Sequence, residues 1–337
     1  MKIKKTLLLL LSLCLIICSL NGCSKKYDAK SVTGFHFDTV VKITIYDIDM
    51  NLETKENLLD ECLNLCDYYE SLLSRTKENS DIYNINHANG KAVNVSNETY
   101  RLIKEALQYH ELSNGLIDPT IAVISDLWAF TSNTPKVPNA QKIDTALSLV
   151  DASQITLTES TNSYTIQLAD PSMKLDLGFI AKGYIADKLK EYLMSQNVKS
   201  ALIDLGGNLL TIGKKPDGTA FNIGIQKPFA LINEPIITLS VNNSSVVTSG
   251  VYERYFEENG IKYHHLLNAN TGYPENNNLL SVTILSQSSM EGDALSTTCY
   301  LLGLDEGMNL INKTDGVEAI FITTDYTLHY SDGLNVQ

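Results

Sequence analysis

The stretch SALIDLGGNLLTIG, Ser200 to Gly213, alternates apolar with polar or small side chains and carries two adjacent glycines at its centre. Three more strand-like segments, FNIGIQ, IITLSV and SVVTSG, follow before residue 251. The spacings are too short for the crossover helices that parallel strands need. We therefore predict an α+β fold with mainly antiparallel sheets and packed helices. Gly206 and Gly207 interrupt the apolar run, which indicates either close approach of another backbone or a bulge.

The same two periodicities extend over most of the chain. Alternation predicts further strands in VVKITIYDI, SYTIQLAD, KYHHLL, LLSVTIL and EAIFITTDYTLHYS. Helical spacing predicts helices over Leu52–Leu73, Glu98–Ser113, Gln141–Val150, Ile180–Gln196, Asp293–Leu302 and Asp305–Lys313. Because no linker rich in Pro, Gly or Ser and no internal repeat divides the chain, we predict one domain over residues 31–337.

The N-terminus has the layout of a secretory signal. Three lysines precede an apolar run from Thr6 to Leu20, and Asn21 and Gly22 stand directly before Cys23. This resembles a bacterial lipoprotein signal. It predicts a signal peptide over residues 1–22, a lipidated tether over 23–30 that begins at Cys23, and a lipid-anchored protein on the extracytoplasmic face of the cell membrane. A retained transmembrane anchor is the alternative, since the run is nearly long enough to span.

Charge and cysteine content exclude some classes of function. The formal net charge is −13, and loss of the three signal-peptide lysines takes it to −16, so a nucleic-acid partner is not expected. Cys62 and Cys66 lie four residues apart in a helical leucine pattern, which favours buried apolar packing over a metal pair. The cysteines do not imply a disulfide framework.

The segment EGDALSTTCYLLG, Glu291 to Gly303, places Asp293 and Thr297 four residues apart where an apolar helical run begins. One interpretation makes Asp293 the N-cap of that helix. The other makes the two oxygens half of a site for a hard cation, since residues at i and i+4 share a helix face. Magnesium usually completes its shell with water and phosphate oxygens, so this second interpretation requires a diphosphate ligand nearby.

A second segment, KLDLGFIAKGYIADKL, is a candidate phosphate site. A predicted strand ends at Asp176 and Gly178 and runs into a helix that carries Lys182 near its start. Helix N–H groups and a cation together suit a phosphate, although an ordinary strand-turn-helix would have the same pattern. Upstream, Asp118-Pro119-Thr120 predicts a turn into a helix with proline at its first position.

Two adjacent histidines are the candidate proton acceptors. Strand alternation puts the side chains of His264 and His265 on opposite faces, so at most one enters a given pocket. Either could act as a base, because an imidazole titrates near neutral pH.

Nine segments in order resemble the ApbE-type FAD:protein FMN transferases over about residues 31–330. They are FDT, LSRTKENSDIYNIN, NGLIDPT, LWAF, LDLGFIAKGYIAD, DLGGN, SGVYERYF, YHHLLNANTG and GDALSTTCYLLG. The resemblance implies an ApbE/T-fold-like architecture. It also implies an enzyme that uses Mg²⁺ to split the FAD diphosphate, moves FMN to a Ser or Thr hydroxyl of an acceptor protein and releases AMP. Given the predicted anchor, we expect that acceptor in an extracytoplasmic redox system.

The resemblance also implies roles for individual residues. The magnesium would be held by Asp293, Thr297 and the backbone carbonyl of Phe179. His265 occupies the family's histidine position and, with Asp293, is assigned to catalysis, His265 as the candidate base. The implied FAD-binding residues are Phe37, Thr76, Leu116, Ile117, Asp118, Asp176, Lys182 and Leu267.

This sequence departs from the family pattern in three places. Asn268 and Ala269 replace the usual Asp-Pro, which removes a rigid turn and a charge. Phe37 and Thr76 stand where Met and Tyr are frequent, and Ser296 replaces an acidic residue. Two alternatives therefore stay open: a Mg²⁺-dependent FAD pyrophosphatase with water as acceptor, and a non-catalytic lipid-anchored flavin-binding protein.

Overall fold

An eight-stranded sheet forms the centre of the protein in a computed structural model that describes residues 28–161, 163–231 and 234–334. The fifteen strands within these residues, β1 to β15, span Lys30–His36, Thr39–Ile45, Val93–Val95, Ile155–Ser160, Ser163–Leu168, Ser200–Leu205, Asn208–Gly213, Phe221–Gln226, Pro235–Val241, Ser245–Gly250, Tyr255–Glu258, Ile261–His264, Leu279–Ser286, Glu318–Thr323 and Leu328–Tyr330. The eight α-helices of the same residues, α1 to α8, span Leu52–Leu73, Asp81–Asn86, Asn97–Leu112, Ala122–Trp128, Ala140–Leu147, Ala181–Ser195, Ser289–Leu302 and Leu304–Ile311.

The sheet topology confirms the predicted fold class. The large sheet has the order β1-β2-β6-β7-β10-β13-β14-β15, and each neighbouring pair is antiparallel. A three-stranded sheet, β3-β5-β4, and the hairpins β8-β9 and β11-β12 are antiparallel as well. The predicted signal peptide and Cys23 lie outside the described residues. Within the described part of the chain, no helix has the length and apolar character to cross a membrane.

The twin glycines of the opening segment form a hairpin turn. β6 and β7 pair from Ser200 opposite Gly213 to Asp204 opposite Leu209, and Gly206 and Gly207 have φ of 66° and 91°. Such a two-residue turn needs positive φ at both positions. The alternative of a bulge within one strand is therefore wrong. The close neighbour of Gly206 is a side chain rather than a backbone, since a Cβ there would lie 2.1 Å from Oγ1 of Thr39.

Three helices pack along the central sheet: α1 against β1 and β2, α6 against β6 and β7, and α7 against β10 and β13. Ile43 and Ile203 of the strands join Leu59 and Cys62 of α1 and Leu189 of α6 in one fully buried cluster. Burial of each such aliphatic side chain contributes about 1.5–3 kcal/mol of transfer free energy, and this stabilises the packing of the helices on the sheet.

The two helical cysteines belong to this core. Cys62 and Cys66 have free, buried thiols, and burial raises the pKa of each to about 12. Thiols with such pKa values stay protonated at neutral pH and do not act as metal ligands. The interpretation as apolar packing is confirmed.

Helices α6 and α7 cross in backbone contact. A Cβ built on Gly183 of α6 would lie 2.2 Å from the carbonyl oxygen of Ser289 in α7. Each helix also supplies a carboxylate to the other's N-terminus. Asp187 of α6 accepts the N–H groups of Ser289 and Met290, and Asp293 of α7 accepts the N–H of Gly183. These exchanged hydrogen bonds satisfy orphan donors at both helix starts.

Three local predictions are wrong, and in two of them a side chain provides the cap or partner. Helix α7 begins at Ser289 rather than Asp293, since Ser288 is its N-cap and accepts the N–H of Glu291. Helix α4 begins at Ala122, so Pro119 lies in the preceding turn. The segment before Asp176 forms one isolated bridge and no strand. Asn86 bonds both backbone groups of Leu175 there.

The Gly183 contact predicts that Gly183→Ala destabilises the fold. The added methyl would overlap a backbone carbonyl that cannot rotate away, so we expect a loss of about 1–3 kcal/mol in urea unfolding despite alanine's better helix propensity. Glu191→Ala, at an exposed position of the same helix, is the control and should change stability by less than about 0.5 kcal/mol. Equal stability of Gly183→Ala and the native chain would mean that the two helices are not in backbone contact.

Candidate active site

A single large cleft of about 1100 Å³ collects the predicted functional residues. Its walls come from the turn between β1 and β2, the chain that follows α1, the start of α6, the glycine turn between β6 and β7, and α7. The residues that line it include Phe37, Thr76, Ile117, Asp118, Asp176, Phe179, Lys182, His265, Leu267, Asp293 and Thr297. These were assigned from distant parts of the sequence, and the fold brings them to one place.

Leu116 does not line the cleft. It packs at the border of an apolar cluster, and its carbonyl oxygen accepts the N–H of Ala269. In this position it holds the turn over residues 268–272 rather than facing the cavity.

Asp293 has a buried carboxylate that bonds to the start of α6. The residue is 4% exposed, its Oδ2 accepts the N–H of Gly183 at 2.9 Å, and its Oδ1 lies 3.8 Å from Nζ of Lys182. Burial raises its pKa, against the opposing effects of Lys182 and the backbone N–H bonds. The carboxylate therefore serves neither as the cap of its own helix nor as a solvated surface charge. Burial thus disfavours the charged form of this carboxylate.

The donors around Asp293 fit a hard divalent cation. Thr297 lies one turn further along α7, and its Oγ1 is 3.1 Å from Oγ of Ser249. The N–H of Gly183 would ordinarily donate to the Phe179 carbonyl in a helix, but here it donates to Asp293. That carbonyl thus lacks its usual helical donor. A carboxylate, a hydroxyl and a backbone carbonyl form the all-oxygen set that Mg²⁺ prefers.

Ser249 links the two hydroxyls of α7 that face β10. Its Oγ lies 2.8 Å from Oγ of Ser296 as well as 3.1 Å from Oγ1 of Thr297. Ser296 is fully buried and also donates to the carbonyl oxygen of Asp293. Ser296 therefore takes part in fixing the helix, at the position where the family pattern has an acidic residue.

The two other predicted carboxylates, Asp118 and Asp176, differ in how many hydrogen bonds they accept from the protein. Asp118 is 5% exposed, and its oxygens accept from Thr120 and from the N–H of Ala152. Asp176 is more open, with Oδ1 accepting the N–H of Gly178. Asp118 thus organises its loop, whereas Asp176 keeps capacity for a ligand.

An ion-pair chain next to Asp176 was not found from the sequence. Nε of Arg75 lies 3.3 Å from Oδ2 of Asp176, and its Nη1 lies 2.5 Å from Oδ1 of Asp126. Asp126 also forms an ion pair with Nζ of Lys174 at 2.8 Å. Arg75 and Asp126 both line the cleft. The sequence signal is weak, because the charges come from separate segments with no common periodicity.

His265 enters the cleft and His264 does not, as alternation predicts. His265 lines the cavity with its Nδ1 3.2 Å from the carbonyl oxygen of Arg254, and burial lowers its pKa to about 3. His264 instead lies edge-on to Tyr300, with ring centroids 5.7 Å apart. At neutral pH, His265 is therefore an uncharged imidazole. If Nδ1 donates to the Arg254 carbonyl, Nε2 has a free lone pair.

Glu253 is a second cleft residue that sequence reasoning missed. Its side chain is open to the solvent inside the cleft, but the surrounding protein raises its pKa to about 7, against the opposing effects of Lys182 and Arg254. The charge of the cleft thus changes near neutral pH. The available signal was its place three residues after Gly250, the last residue of β10.

The altered turn of residues 268–272 is closed by its own asparagine. Asn268 Oδ1 accepts the N–H of Asn270, its backbone carbonyl accepts the N–H of Gly272, and its amide donates to Glu275. Trp128 Nε1 donates to the Gly272 carbonyl from below. The rigid turn that was expected to disappear with Asp-Pro is present.

Comparison with known proteins gives one consistent result. The family model described as the ApbE family matches residues 37–321. The FAD:protein FMN transferase of Klebsiella pneumoniae (strain 342) is 39% identical over 269 residues, which cover 80% of this chain and 83% of the relative. That of Treponema pallidum is 32% identical over 95% of this chain and 92% of its own length. The solved ApbE protein of Thermotoga maritima superposes with a TM-score of 0.81 at 29% identity, covering 90% of this chain and 97% of its own.

The strained state of Asp293 predicts that Asp293→Asn stabilises the fold when divalent cations are absent. The amide oxygen can still accept the Gly183 N–H, while the buried charge is removed. Because the folded pKa is raised, the charge costs stability as pH rises from the ordinary aspartate range through the folded value. Urea unfolding in EDTA should thus favour the variant more at pH 7 than at pH 4. A variant that is less stable at pH 7 would contradict this account of the charge.

Proposed function

The chain belongs to the ApbE family, and we propose that it is a Mg²⁺-dependent FAD:protein FMN transferase that acts on Ser or Thr hydroxyls of an extracytoplasmic acceptor protein. One observation carries the proposal. The oxygen donors of Asp293, Thr297 and Phe179, which suit a metal ion, line the same cleft as the ammonium group of Lys182, whose Nζ is 3.8 Å from Asp293. A metal-bridged diphosphate needs both.

The size of the cleft supports a dinucleotide substrate. Its volume of about 1100 Å³ is at the upper end of ordinary small-molecule pockets, which run to about 1,000 Å³. Phe37 lies on one wall and Ile117 and Leu267 line it as well, which provides apolar surface for flat rings. Lys182 lies in the first turn of α6, where N–H groups and a cation attract phosphate.

The proposed reaction breaks one bond of the FAD diphosphate. The acceptor oxygen forms a bond to the FMN phosphorus, the bond from that phosphorus to the bridging oxygen breaks, and AMP leaves with the bridging oxygen. When bound, Mg²⁺ supplies charge neutralisation on the diphosphate. Lys182 would hold the phosphates in place, and Asp293 would hold the cation.

The proton of the acceptor hydroxyl must go to a base as the new bond forms. His265 is the candidate because it lines the cleft uncharged at neutral pH, with Nε2 as the available nitrogen. Its low pKa makes it a weak base, so proton transfer would accompany bond formation rather than precede it.

The N-terminal sequence supports the proposed location. A signal peptide that ends before Cys23 would leave the enzyme lipid-anchored outside the cytoplasm. The acceptor would then be a redox protein of the same compartment.

The test supplies the chain with FAD, Mg²⁺ and an extracytoplasmic redox domain that natively carries covalent FMN but has been produced without flavin. We expect flavin fluorescence on the acceptor band of a denaturing gel, equimolar AMP, and loss of both in EDTA. An acceptor whose target hydroxyl is replaced by Ala should stay unlabelled. AMP and free FMN without labelled protein would favour the pyrophosphatase, and FAD binding without AMP would favour a flavin-binding protein.

In the same assay, Asp293→Ala should lower transfer by at least about 100-fold, because the cation loses its carboxylate ligand. Asp305→Ala removes an exposed aspartate of α8 and should retain full activity. Circular dichroism spectra would verify that both variants are folded. Full activity of Asp293→Ala would refute the metal assignment.

Glu253 predicts a pH effect on FAD binding. Its carboxyl group is neutral below a pKa of about 7 and charged above it, and a negative charge repels the diphosphate. FAD affinity in EDTA, measured by quenching of flavin fluorescence, should therefore fall roughly five-fold between pH 6 and pH 8. Glu253→Gln should remove this dependence, whereas Glu257→Gln, an exposed neighbour, should retain it. The same pH dependence in Glu253→Gln would assign the effect to another group.

A further inference from the structure

Three side chains outside the proposed catalytic set meet where β1 packs on α1. His36 ends β1, and Asp67 and Glu70 lie three residues apart on α1. A ring nitrogen of His36 and one oxygen from each carboxylate all lie within 4.8 Å of one another. Among the described residues, this is the only group of three or more His, Cys, Asp or Glu side chains with that geometry. Two donors bound to one ion at about 2.0–2.2 Å lie at most about 4.4 Å apart, so a side-chain shift of a few tenths of an ångström is enough to bring all three onto one ion.

A second observation at the same place points to a missing partner. Nδ1 of His36 is shielded from solvent and makes no hydrogen bond to any described residue. Asp67 Oδ1 is 3.5 Å away, outside ordinary hydrogen-bond length for a ring nitrogen. Leaving a buried polar atom unpaired is costly, so such atoms in native proteins usually have a function or a bound ligand.

The donor types select the class of ligand. One imidazole nitrogen and two carboxylate oxygens suit Zn²⁺ and similar transition ions, whereas Mg²⁺ and Ca²⁺ prefer oxygen alone. We propose that Nδ1 of His36 and the carboxylates of Asp67 and Glu70 bind one divalent transition-metal ion of the Zn²⁺ class, with water in the remaining position. The ligand set shares no residue with the proposed Mg²⁺ site.

The charges and contacts of the three residues are compatible with this ion. Two carboxylates would balance its charge. Asp67 is 65% exposed at its side chain, which gives the ion a path from solvent. Glu70 already accepts the N–H of Phe37 at 2.8 Å and lies 3.6 Å from Nζ of Lys77, so its position is fixed before an ion arrives.

A metal at this position would fasten one wall of the cleft. Phe37 and Asp38 form the turn after His36 with φ of 55° and 58°, a conformation that costs energy for residues other than glycine. Phe37 and Glu70 both line the cleft. A bond from His36 to an ion shared with α1 would hold this turn, and with it the aromatic ring of Phe37, against the helix.

The test titrates the full chain, free of other metals, with Co²⁺, whose visible absorption reports nitrogen and oxygen ligation. The native chain should bind one Co²⁺ more than His36→Gln and Asp67→Asn do, and Zn²⁺ should displace it. Asp293→Asn, which removes the proposed Mg²⁺ ligand, is the matched control and should keep the Co²⁺ band. The result therefore does not depend on the transferase assignment.

Thermal unfolding provides the second readout. Zn²⁺ should raise the unfolding midpoint of the native chain in a concentration-dependent manner, because it binds the folded state. It should leave the midpoint of His36→Gln unchanged, and that variant's cooperative transition would verify that it is folded. Equal Co²⁺ uptake by the native chain and His36→Gln, or no uptake by the native chain, would overturn the proposal.

Discussion

The backbone contact between helices α6 and α7 at Gly183 is the constraint on which the rest of the cleft depends. Only a residue without a side chain lets the carbonyl of Ser289 come so close to α6. Because the helices cross there, Asp293 reaches the first turn of α6 and takes the N–H of Gly183, and Asp187 reaches the start of α7 in return. Lys182 is then beside Asp293, which lies one helical turn from Thr297, and Phe179 lines the same cleft. A side chain at position 183 would separate the two halves of the proposed cation site.

The environment of the cleft disfavours the charged forms of several of its ionisable side chains. Burial raises the pKa of Asp293 and lowers that of His265, and desolvation by the walls of the cleft raises the pKa of Glu253. Perturbed groups that cluster in one cavity are typical of active sites, since structural residues usually find partners that favour their ordinary charge. Asp118 illustrates the contrast, because its hydrogen bonds are all satisfied within its own loop and to Ala152. In this cleft, stability and function make opposite demands on Asp293.

Much of the fold could be predicted because periodicity is a local signal. Helix α1 has the predicted bounds, and the short strand spacings correctly indicated antiparallel sheets. The errors have different causes: a distant side chain, Asn86, takes the backbone bonds of Leu175, and a local cap, Ser288, begins α7 ahead of Asp293. Of the residues that the family resemblance assigned, all except Leu116 line the cleft. The sequence pattern does not predict the sites that depend on tertiary contacts between separate segments. These are Arg75, Asp126, Glu253 and the His36 cluster.

The most direct test of the site is the position of the cation in a crystal of the FAD complex grown with Mn²⁺ in place of Mg²⁺. Anomalous scattering would locate Mn²⁺ independently of any assumption about its ligands. The account predicts a peak bonded to Asp293, Thr297 and the Phe179 carbonyl, with the FAD diphosphate in the same coordination shell. A diphosphate bound away from α7, with no anomalous peak at Asp293, would contradict the claim that the α6–α7 crossing builds the catalytic centre.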